Sequence, residues 1–162
     1  MNRRTFALTG LAAATALVAF RPTASRADIA EGPFPVTRTD AEWRTMLSDE
    51  AYDVMRTGGT ERAFSSPLND ISDMGTFHCK GCDNPLYSSE TKFMSGTGWP
   101  SFTSALPDAI GTMDDRQFLF FVRTECHCAR CGSHLGHIFE DGPEPTGLRH
   151  CINGVAMTFQ AA

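Results

Sequence analysis

The sequence has few basic residues and no long apolar run, and both shortages restrict what the protein can bind. Of its 162 residues, 14 are Lys or Arg and 19 are Asp or Glu, which gives a net charge of −5. Four of the basic residues lie in the first 27 positions, where there is no acid, so the remainder carries 10 basic against 19 acidic residues, a net −9. Such an acidic domain is a poor electrostatic match for nucleic acid or for an anionic membrane surface.

Low-complexity tracts are absent as well, and no internal repeat is found beyond one pair of short cysteine motifs. With 41% hydrophobic and 20% charged residues, 14 Gly and 9 Pro, the composition excludes collagen-like, coiled-coil and disordered proteins. The length fits a single domain with a sizeable core. We therefore expect one acidic globular domain.

Residues 1–27 are typical of an export signal. Arg3 and Arg4 form a charged start, an Ala- and Leu-rich stretch runs from Phe6 to Phe20, and small residues flank Arg26 at a potential cleavage site. The apolar stretch is too short and too interrupted to span a membrane comfortably. The paired arginines favour a twin-arginine signal, with an ordinary secretory signal or an uncleaved anchor as alternatives. We expect an exported, periplasmic protein without stable membrane association after signal cleavage.

Four of the six cysteines form two CxxC motifs, Cys79 with Cys82 and Cys128 with Cys131. Two intervening residues let a tight turn point both thiolates at one ion, and two such turns complete a tetrahedral zinc site. Disulfides or a redox-active CxxC pair are the alternatives. Because 45 residues separate Cys82 from Cys128, we expect one structural Zn²⁺ that joins two distant parts of the domain.

The other two cysteines are candidates for chemistry. Cys151 stands between Arg149 and Asn153, and in a strand all three side chains share one face. A nearby guanidinium favours the thiolate and lowers a pKa that starts at about 8.5; an inert buried thiol is the alternative. Cys126, two residues before Cys128, is an alternative metal ligand, a buried small apolar group or a redox partner.

Two further patterns supply groups that suit a reactive sulfur. Two glycines and Pro100 in the loop 92–102 can hold the Trp99 indole as a flat apolar wall, although a core tryptophan is equally compatible. His134 and His137 directly follow the second CxxC motif. Since four cysteines already satisfy a zinc ion, we favour acid–base chemistry for the two histidines.

The remaining pattern predicts a mainly β domain with short N-terminal helices over residues 39–162, preceded by a linker over 28–38. A capping box opens at Thr39, and Gly58 follows a second helix that we predict from Asp49 to Thr57. Short β-rich runs separated by turn residues then predict antiparallel sheets. These runs are Thr76 to Cys79, Leu86 to Ser88, Phe118 to Glu125, His137 to Phe139 and Val155 to Phe159.

Taken together, these motifs resemble the B-type methionine sulfoxide reductases. The resemblance covers residues from about 40 to 159 in family order and implies two small antiparallel sheets with a structural zinc away from the chemistry. The matching segments are Gly59 to Ser65, both CxxC motifs, Ser95 to Phe102, Arg123 to Glu125, His134 to His137, Asp141 to Pro143 and Gly147 to Asn153.

The resemblance implies that Cys151 is the nucleophile. It attacks the sulfur of the R epimer of methionine sulfoxide and becomes a sulfenic acid, the reversible first stage of cysteine oxidation. His134, His137 and Asn153 match the groups that hold and protonate the sulfoxide oxygen. The implied substrates are oxidised exported proteins, with free methionine sulfoxide also possible.

The substrate pocket is implied by four further matches. Trp99 matches the indole against which the terminal methyl group packs, and Phe159 is expected to help line that pocket. Arg149 and Asp141 match further polar residues around the site.

Two positions depart from the family pattern. Thr97 stands where many members carry a resolving cysteine, and His150 stands where Tyr or Phe is usual. The sulfenic acid must therefore be resolved by Cys126 or directly by an external thiol, and of the two we favour Cys126. The expected reductant is a thioredoxin-like periplasmic protein, and the expected state is a monomer.

Other functions stay open on the residues alone. A non-catalytic, zinc-stabilised binding domain of the same fold predicts that loss of Cys151 leaves every activity intact. A disulfide-rich structural domain predicts no zinc, and a thiol–disulfide oxidoreductase predicts disulfide reduction without any sulfoxide.

Overall fold

The computed structural model describes residues 26–118 and 121–162. The predicted export signal therefore lies almost entirely outside the described residues. At its end, the Ala27 amide donates to the Gly58 carbonyl at 2.7 Å, and the linker 28–38 contains no helix or strand. Within the described ranges, no helix is long and apolar enough to cross a membrane.

Two short helices open the domain where the sequence predicts them. Helix α1 spans Asp40–Met46, and its capping box is complete because Thr39 and Glu42 each accept a hydrogen bond from the other's backbone N–H. Helix α2 spans Asp49–Thr57 and ends at Gly58, whose φ of 71° lies in the left-handed region that glycine adopts at low cost. Both predicted helices are confirmed.

Nine strands within the described residues form two antiparallel sheets. One has the order β2-β1-β9, and the other has the order β3-β4-β8-β7-β6-β5. The strands are β1 Gly75–Cys79, β2 Pro85–Ser88, β3 Lys92–Phe93, β4 Ser101–Phe102, β5 Ile110–Phe118, β6 Phe121–Cys128, β7 His134–Phe139, β8 Arg149–Ile152 and β9 Met157–Ala161. The predicted mainly β fold with two antiparallel sheets is confirmed.

The predicted strand from Phe118 to Glu125 is confirmed from Phe121 onward, within β6, but its first residue is wrong. Phe118 and Phe121 do not share a strand: Phe118 ends β5 and pairs with Phe121 at the start of β6. The polar sequence of β5, with Gly111 and two acidic residues, gave no local β signal. Its pairing with β6 is what makes this segment a strand.

The core lies between the two sheets and is aromatic. Tyr87 of β2 stacks on Phe102 of β4 with ring centroids 4.3 Å apart, and Phe77 of β1 meets Phe102 edge-on at 5.0 Å. His150 of β8 lies against Tyr87, with its Nδ1 3.3 Å from the Tyr87 hydroxyl. We call this side of the six-stranded sheet the core face and the opposite side the site face.

Candidate active site

A single row across four strands places four polar side chains next to one another. Cys151 in β8 pairs with Ser101 in β4 and with His137 in β7. His137 pairs in turn with Glu125 in β6. Because directly paired residues point to the same side of a sheet, this row lies on the site face, whereas His150 points into the core.

A cavity of about 150 Å³ lies over Cys151. One of its walls is the Trp99 indole, whose nitrogen donates to the Glu61 carbonyl at 3.2 Å and is thereby held in place. Apart from Gly136 and Phe139, the other lining residues are polar, so that the sulfur lies between an apolar and a polar surface. The lining residues are Thr60, Trp99, Arg123, Gly136, His137, Phe139, Cys151 and Asn153.

Phe159, expected to line this cavity, is not among its lining residues. It lies in β9, and its ring packs against Phe77 with the centroids 4.9 Å apart. Phe139 lines the cavity instead. Because Phe139 follows His137 by two residues in β7, the alternation of side chains along a strand could have identified it.

His137 is held by a buried acid that the sequence analysis did not single out. Its Nε2 donates to the Asp115 carboxylate at 2.8 Å, and the Arg123 guanidinium donates to the same oxygen at 2.6 Å. Burial lowers the pKa of His137, and the hydrogen bond to Asp115 opposes this shift without reversing it. His137 is therefore neutral at pH 7 in the resting site. Asp115 was missed because β5 was not predicted as a strand.

His134 lies behind His137 rather than in the cavity lining. A one-residue register shift in the β6–β7 pairing accompanies the approach of the two rings, which meet edge-on at 5.4 Å. The buried Glu125 carboxylate accepts from His134 Nδ1 at 2.7 Å and from His127 Nδ1 at 2.8 Å. Burial acts to raise the pKa of Glu125, but these two hydrogen bonds outweigh it and lower the pKa. Glu125 therefore stays ionised and fixes the ring of His134.

Asn153 lines the cavity, but its amide is already engaged by the backbone. Its Nδ2 donates to the Leu135 carbonyl at 2.9 Å, and its Oδ1 accepts from the Glu61 N–H at 3.0 Å. The Glu61 carboxylate in turn accepts from the N–H groups of Gly154 and Val155. Asn153 thus joins two cavity walls, a positioning role that spacing alone could not reveal.

Arg149 acts on Cys151 from a fixed position. Its guanidinium donates two hydrogen bonds of 2.8 Å to Asp141 and lies 4.4 Å from the centre of the Phe139 ring. Asp141 itself is outside the cavity lining. Burial raises the pKa of the Cys151 thiol, while the Thr97 hydroxyl and the Arg149 charge oppose the rise. The expected lowering of this pKa is therefore wrong for the resting site, because burial outweighs the guanidinium.

Loop 92–102 brings Thr97 as well as Trp99 to Cys151. The Thr97 hydroxyl lies 3.9 Å from the Cys151 sulfur. Ser95 links this hydroxyl to the sheet, because its own hydroxyl is 2.9 Å from that of Thr97 and 2.7 Å from that of Ser101. The loop is thus attached to the same row that carries Cys151.

Cys126 does not lie beside Cys151. Cys126 pairs with Gly136, which pairs with Ile152, so these three residues share the core face. The Cys126 side chain is fully buried and contacts Tyr87. Because Cys151 points to the site face, the sheet separates the two sulfurs. The expectation that Cys126 resolves the sulfenic acid is corrected accordingly, since a disulfide between them requires the local sheet to open.

The four CxxC cysteines converge, and their sulfur atoms all lie within 4.8 Å of one another. Cys79 is 3.7 Å from Cys131, and Cys82 is 3.5 Å from Cys128. A tetrahedral metal with bonds to sulfur of about 2.3 Å separates its ligands by about 3.8 Å, so the cluster fits a four-thiolate metal ion. It joins the β1–β2 turn to the β6–β7 turn, away from the cavity lining.

The geometry is that of a β protein in which a cluster of four cysteines that fits a metal ion joins two turns, and a half-buried cysteine lines a small cavity with an apolar and a polar side. The SelR domain family model matches residues 47–161, which is most of the chain. The chain therefore belongs to this family, the B-type methionine sulfoxide reductases, as the sequence motifs indicate.

Curated relatives agree with this assignment. The chain is 46% identical over 125 residues to peptide methionine sulfoxide reductase MsrB of Agrobacterium fabrum, covering 77% of this chain and 93% of the relative. It is 50% identical over 127 residues to the protein of that name from Pseudomonas putida, covering 77% and 94%. For the Thiobacillus denitrificans protein, the identity is 51% over 123 residues, covering 75% and 92%.

Arg149→Met tests the electrostatic part of the site. The substitution keeps an apolar stem against Phe139 but removes the positive charge, so we expect the pKa of Cys151 to rise further. The thiolate fraction at pH 7 should then fall by up to about tenfold. Alkylation of the Cys151 peptide by iodoacetamide, followed by mass spectrometry across a pH series, measures this shift.

Arg44→Met is the matched control, because Arg44 forms an exposed ion pair with Asp40 on α1 and should leave the alkylation profile unchanged. An identical profile for Arg149→Met and wild type would contradict the proposed influence of Arg149 on the thiol.

Proposed function

We propose that the protein reduces the R epimer of methionine sulfoxide to methionine at Cys151, using two external thiols as the source of electrons. The observation that carries this proposal is the cavity in which the Cys151 sulfur lies between the Trp99 indole and the His137 imidazole. Membership of the family supports it, since its curated relatives bear the name peptide methionine sulfoxide reductase.

In the first step, the Cys151 thiolate attacks the sulfoxide. Cys151 is oxidised to a sulfenic acid, the sulfur–oxygen bond of the substrate breaks, and methionine leaves with its sulfur reduced. His137, beside Cys151 in the cavity, takes the proton of the Cys151 thiol and passes it to the sulfoxide oxygen as that oxygen moves from the substrate sulfur to the Cys151 sulfur. Asp115, hydrogen-bonded to His137, stabilises the imidazolium that exists between these two transfers.

The two walls of the cavity account for the choice of epimer. The terminal methyl group packs against Trp99 and Phe139, while the oxygen faces His137. Inversion at sulfur exchanges these two groups and places the oxygen against an apolar ring without a hydrogen-bond partner. A buried polar group left unpaired costs about 1–3 kcal/mol, which accounts for roughly 5- to 150-fold of the preference for the R epimer.

The first test is reduction of the separate epimers of a peptide-linked methionine sulfoxide, with dithiothreitol as donor. We expect turnover of the R epimer alone. Cys151→Ser should lower that turnover at least ~1,000-fold, because the hydroxyl is a far weaker nucleophile. Cys126→Val, which fills the same buried volume on the core face, should retain it. A folded, metal-replete protein that reduced neither epimer would instead favour the non-catalytic binding domain.

We infer that an external thiol reduces the sulfenic acid directly. It attacks the Cys151 sulfur to give a mixed disulfide and water, and a second thiol then releases Cys151 and leaves as a disulfide. Three observations support this route: Cys126 lies behind the sheet, position 97 carries a hydroxyl, and the other four cysteines form the metal cluster. A thioredoxin-like protein of the periplasm is the proposed donor.

A single turnover without added thiol distinguishes the two routes. The wild-type protein should gain one oxygen atom, trapped by dimedone on Cys151, rather than lose two hydrogen atoms. Thr97→Cys is the positive control, because the 3.9 Å between the Thr97 hydroxyl and the Cys151 sulfur places the introduced thiol within reach of a disulfide. A Cys126–Cys151 disulfide in the wild-type peptide map would refute direct external reduction.

We also propose that the metal is zinc and that the protein is an exported, periplasmic monomer. Four thiolates in a closed tetrahedral set are typical of structural zinc. Arg3 and Arg4 match a twin-arginine signal. If that route carries the folded protein, zinc binds in the reducing cytoplasm before any oxidant reaches the thiols.

Protein recovered from the periplasm should therefore contain one zinc per chain by elemental analysis. Cys82→Ser should lose the ion and lower the melting temperature by more than about 10 °C, because the metal joins two turns that are distant in sequence. Cys126→Val controls for the loss of a buried thiol and should keep the zinc. Absence of zinc, together with disulfides among the four cysteines, would contradict this assignment.

A further inference from the structure

Phe64 occupies a backbone conformation that does not suit an aromatic residue. Its φ is 63°, in the left-handed region, and 73% of the residue is exposed to solvent. Among the described non-glycine residues, the other two with positive φ are Asp83 and Asp108, a residue type that tolerates this region. The left-handed backbone and the exposure to solvent both favour Gly or Asn at position 64. The stability of the fold therefore does not explain why an aromatic residue stands there.

Phe64 is attached to the loop that reaches the catalytic cavity. Its N–H donates to the Gly98 carbonyl at 2.7 Å. One edge of its ring lies so close to Gly98 that a Cβ added there would be 2.8 Å from it. Gly98 stands between Thr97 and Trp99, the two side chains that this loop brings to Cys151. Phe64 therefore covers Gly98 at the protein surface, next in sequence to the Trp99 that lines the cavity.

A hydrogen bond connects Gly98 to a surface groove as well. The Asn69 side-chain amide also donates to the Gly98 carbonyl, at 3.1 Å. Asn69 lines a groove of about 430 Å³ together with Phe93 and Met94, and Met94 is 76% exposed. The Phe64 ring and a residue of this groove thus both contact Gly98, which directly precedes the Trp99 of the cavity wall.

We propose that Phe64 and Met94 bind the polypeptide that flanks the oxidised methionine, so that the protein acts on methionine sulfoxide within extended, apolar segments of other proteins. This inference rests on the proposed function. A cavity of about 150 Å³ accepts one side chain, so the rest of a peptide substrate must leave across the adjoining surface. An exposed Phe and an exposed Met gain free energy when an apolar neighbour of the sulfoxide covers them.

The test compares three R-sulfoxide substrates: a peptide with leucines on both sides of the sulfoxide, the same peptide with serines, and N-acetyl methionine sulfoxide methylamide. For wild type, kcat/KM should be highest with the leucine peptide. Phe64→Asn should lower the ratio of kcat/KM for the leucine peptide to that for the blocked amino acid by about tenfold. The change should appear mainly in KM, because the contact is equal in the ground and transition states.

Phe64→Asn is chosen because Asn tolerates the left-handed region, so urea unfolding should show a stability at least equal to that of wild type. Met94→Ala should lower the same ratio by about threefold. Met46→Ala, which alters an apolar residue of α1 that is 49% exposed, is the matched control and should leave the ratio unchanged.

Three results would overturn the inference: equal kcat/KM of wild type on the leucine and serine peptides, an unchanged ratio in Phe64→Asn, or the same loss in Met46→Ala. Equal losses by Phe64→Asn on the peptide and on the blocked amino acid would also overturn it, because they would show that Phe64 only positions Trp99. In all these cases wild type still reduces the R-sulfoxides, whereas failure of the proposed function would leave all three substrates unreduced.

Discussion

Gly136 in β7 lies against the backbone of Cys151 in β8 so closely that an added Cβ would collide with the Cys151 carbonyl oxygen. This close antiparallel pairing determines which residues meet. It places His137 beside Cys151 on the site face and leaves Cys126 on the core face. A slip of one residue would reverse the face of every side chain in β8. The position of Cys151, the proposed nucleophile, beside His137, its proposed proton donor, and the separation of the second sulfur all depend on this register.

Two buried carboxylates hold the two histidines that lie on one side of Cys151, the proposed nucleophile. Asp115 holds the cavity histidine, while Glu125 fixes His134 behind it. Burial disfavours charge on both Cys151 and His137, so that the resting site contains a protonated thiol and a neutral ring. In the proposed reaction, these charges form when substrate enters the cavity, and Arg149 and Asp115 are already oriented behind its lining by their hydrogen bonds. The buried surroundings of Cys151 thus keep the resting thiol protonated and also hold the charged groups that the proposed reaction requires.

The contacts that stabilise the fold involve different side chains from those that line the cavity. The cysteine cluster ties the β1–β2 turn to the β6–β7 turn, and the Phe77–Phe102–Tyr87 packing joins the two sheets. Loop 92–102 is attached to this frame through Ser95 and Ser101 and can therefore present Trp99 at a fixed position. The strained Phe64 contacts this loop at Gly98 and is exposed to solvent, where we propose that a polypeptide substrate passes.

The sequence by itself determined the features that depend on neighbouring residues. These are the start of α1, the limits of α2, the two CxxC turns, the position of Cys151 and, through the motifs, the family. Tertiary structure alone decided that Phe139 rather than Phe159 lines the cavity, that Asp115 holds His137, and that Cys126 faces away from Cys151. Each of these outcomes follows from the pairing of strands that are distant in sequence. Local propensity carries no signal for such register, because the partner that selects it lies elsewhere in the chain.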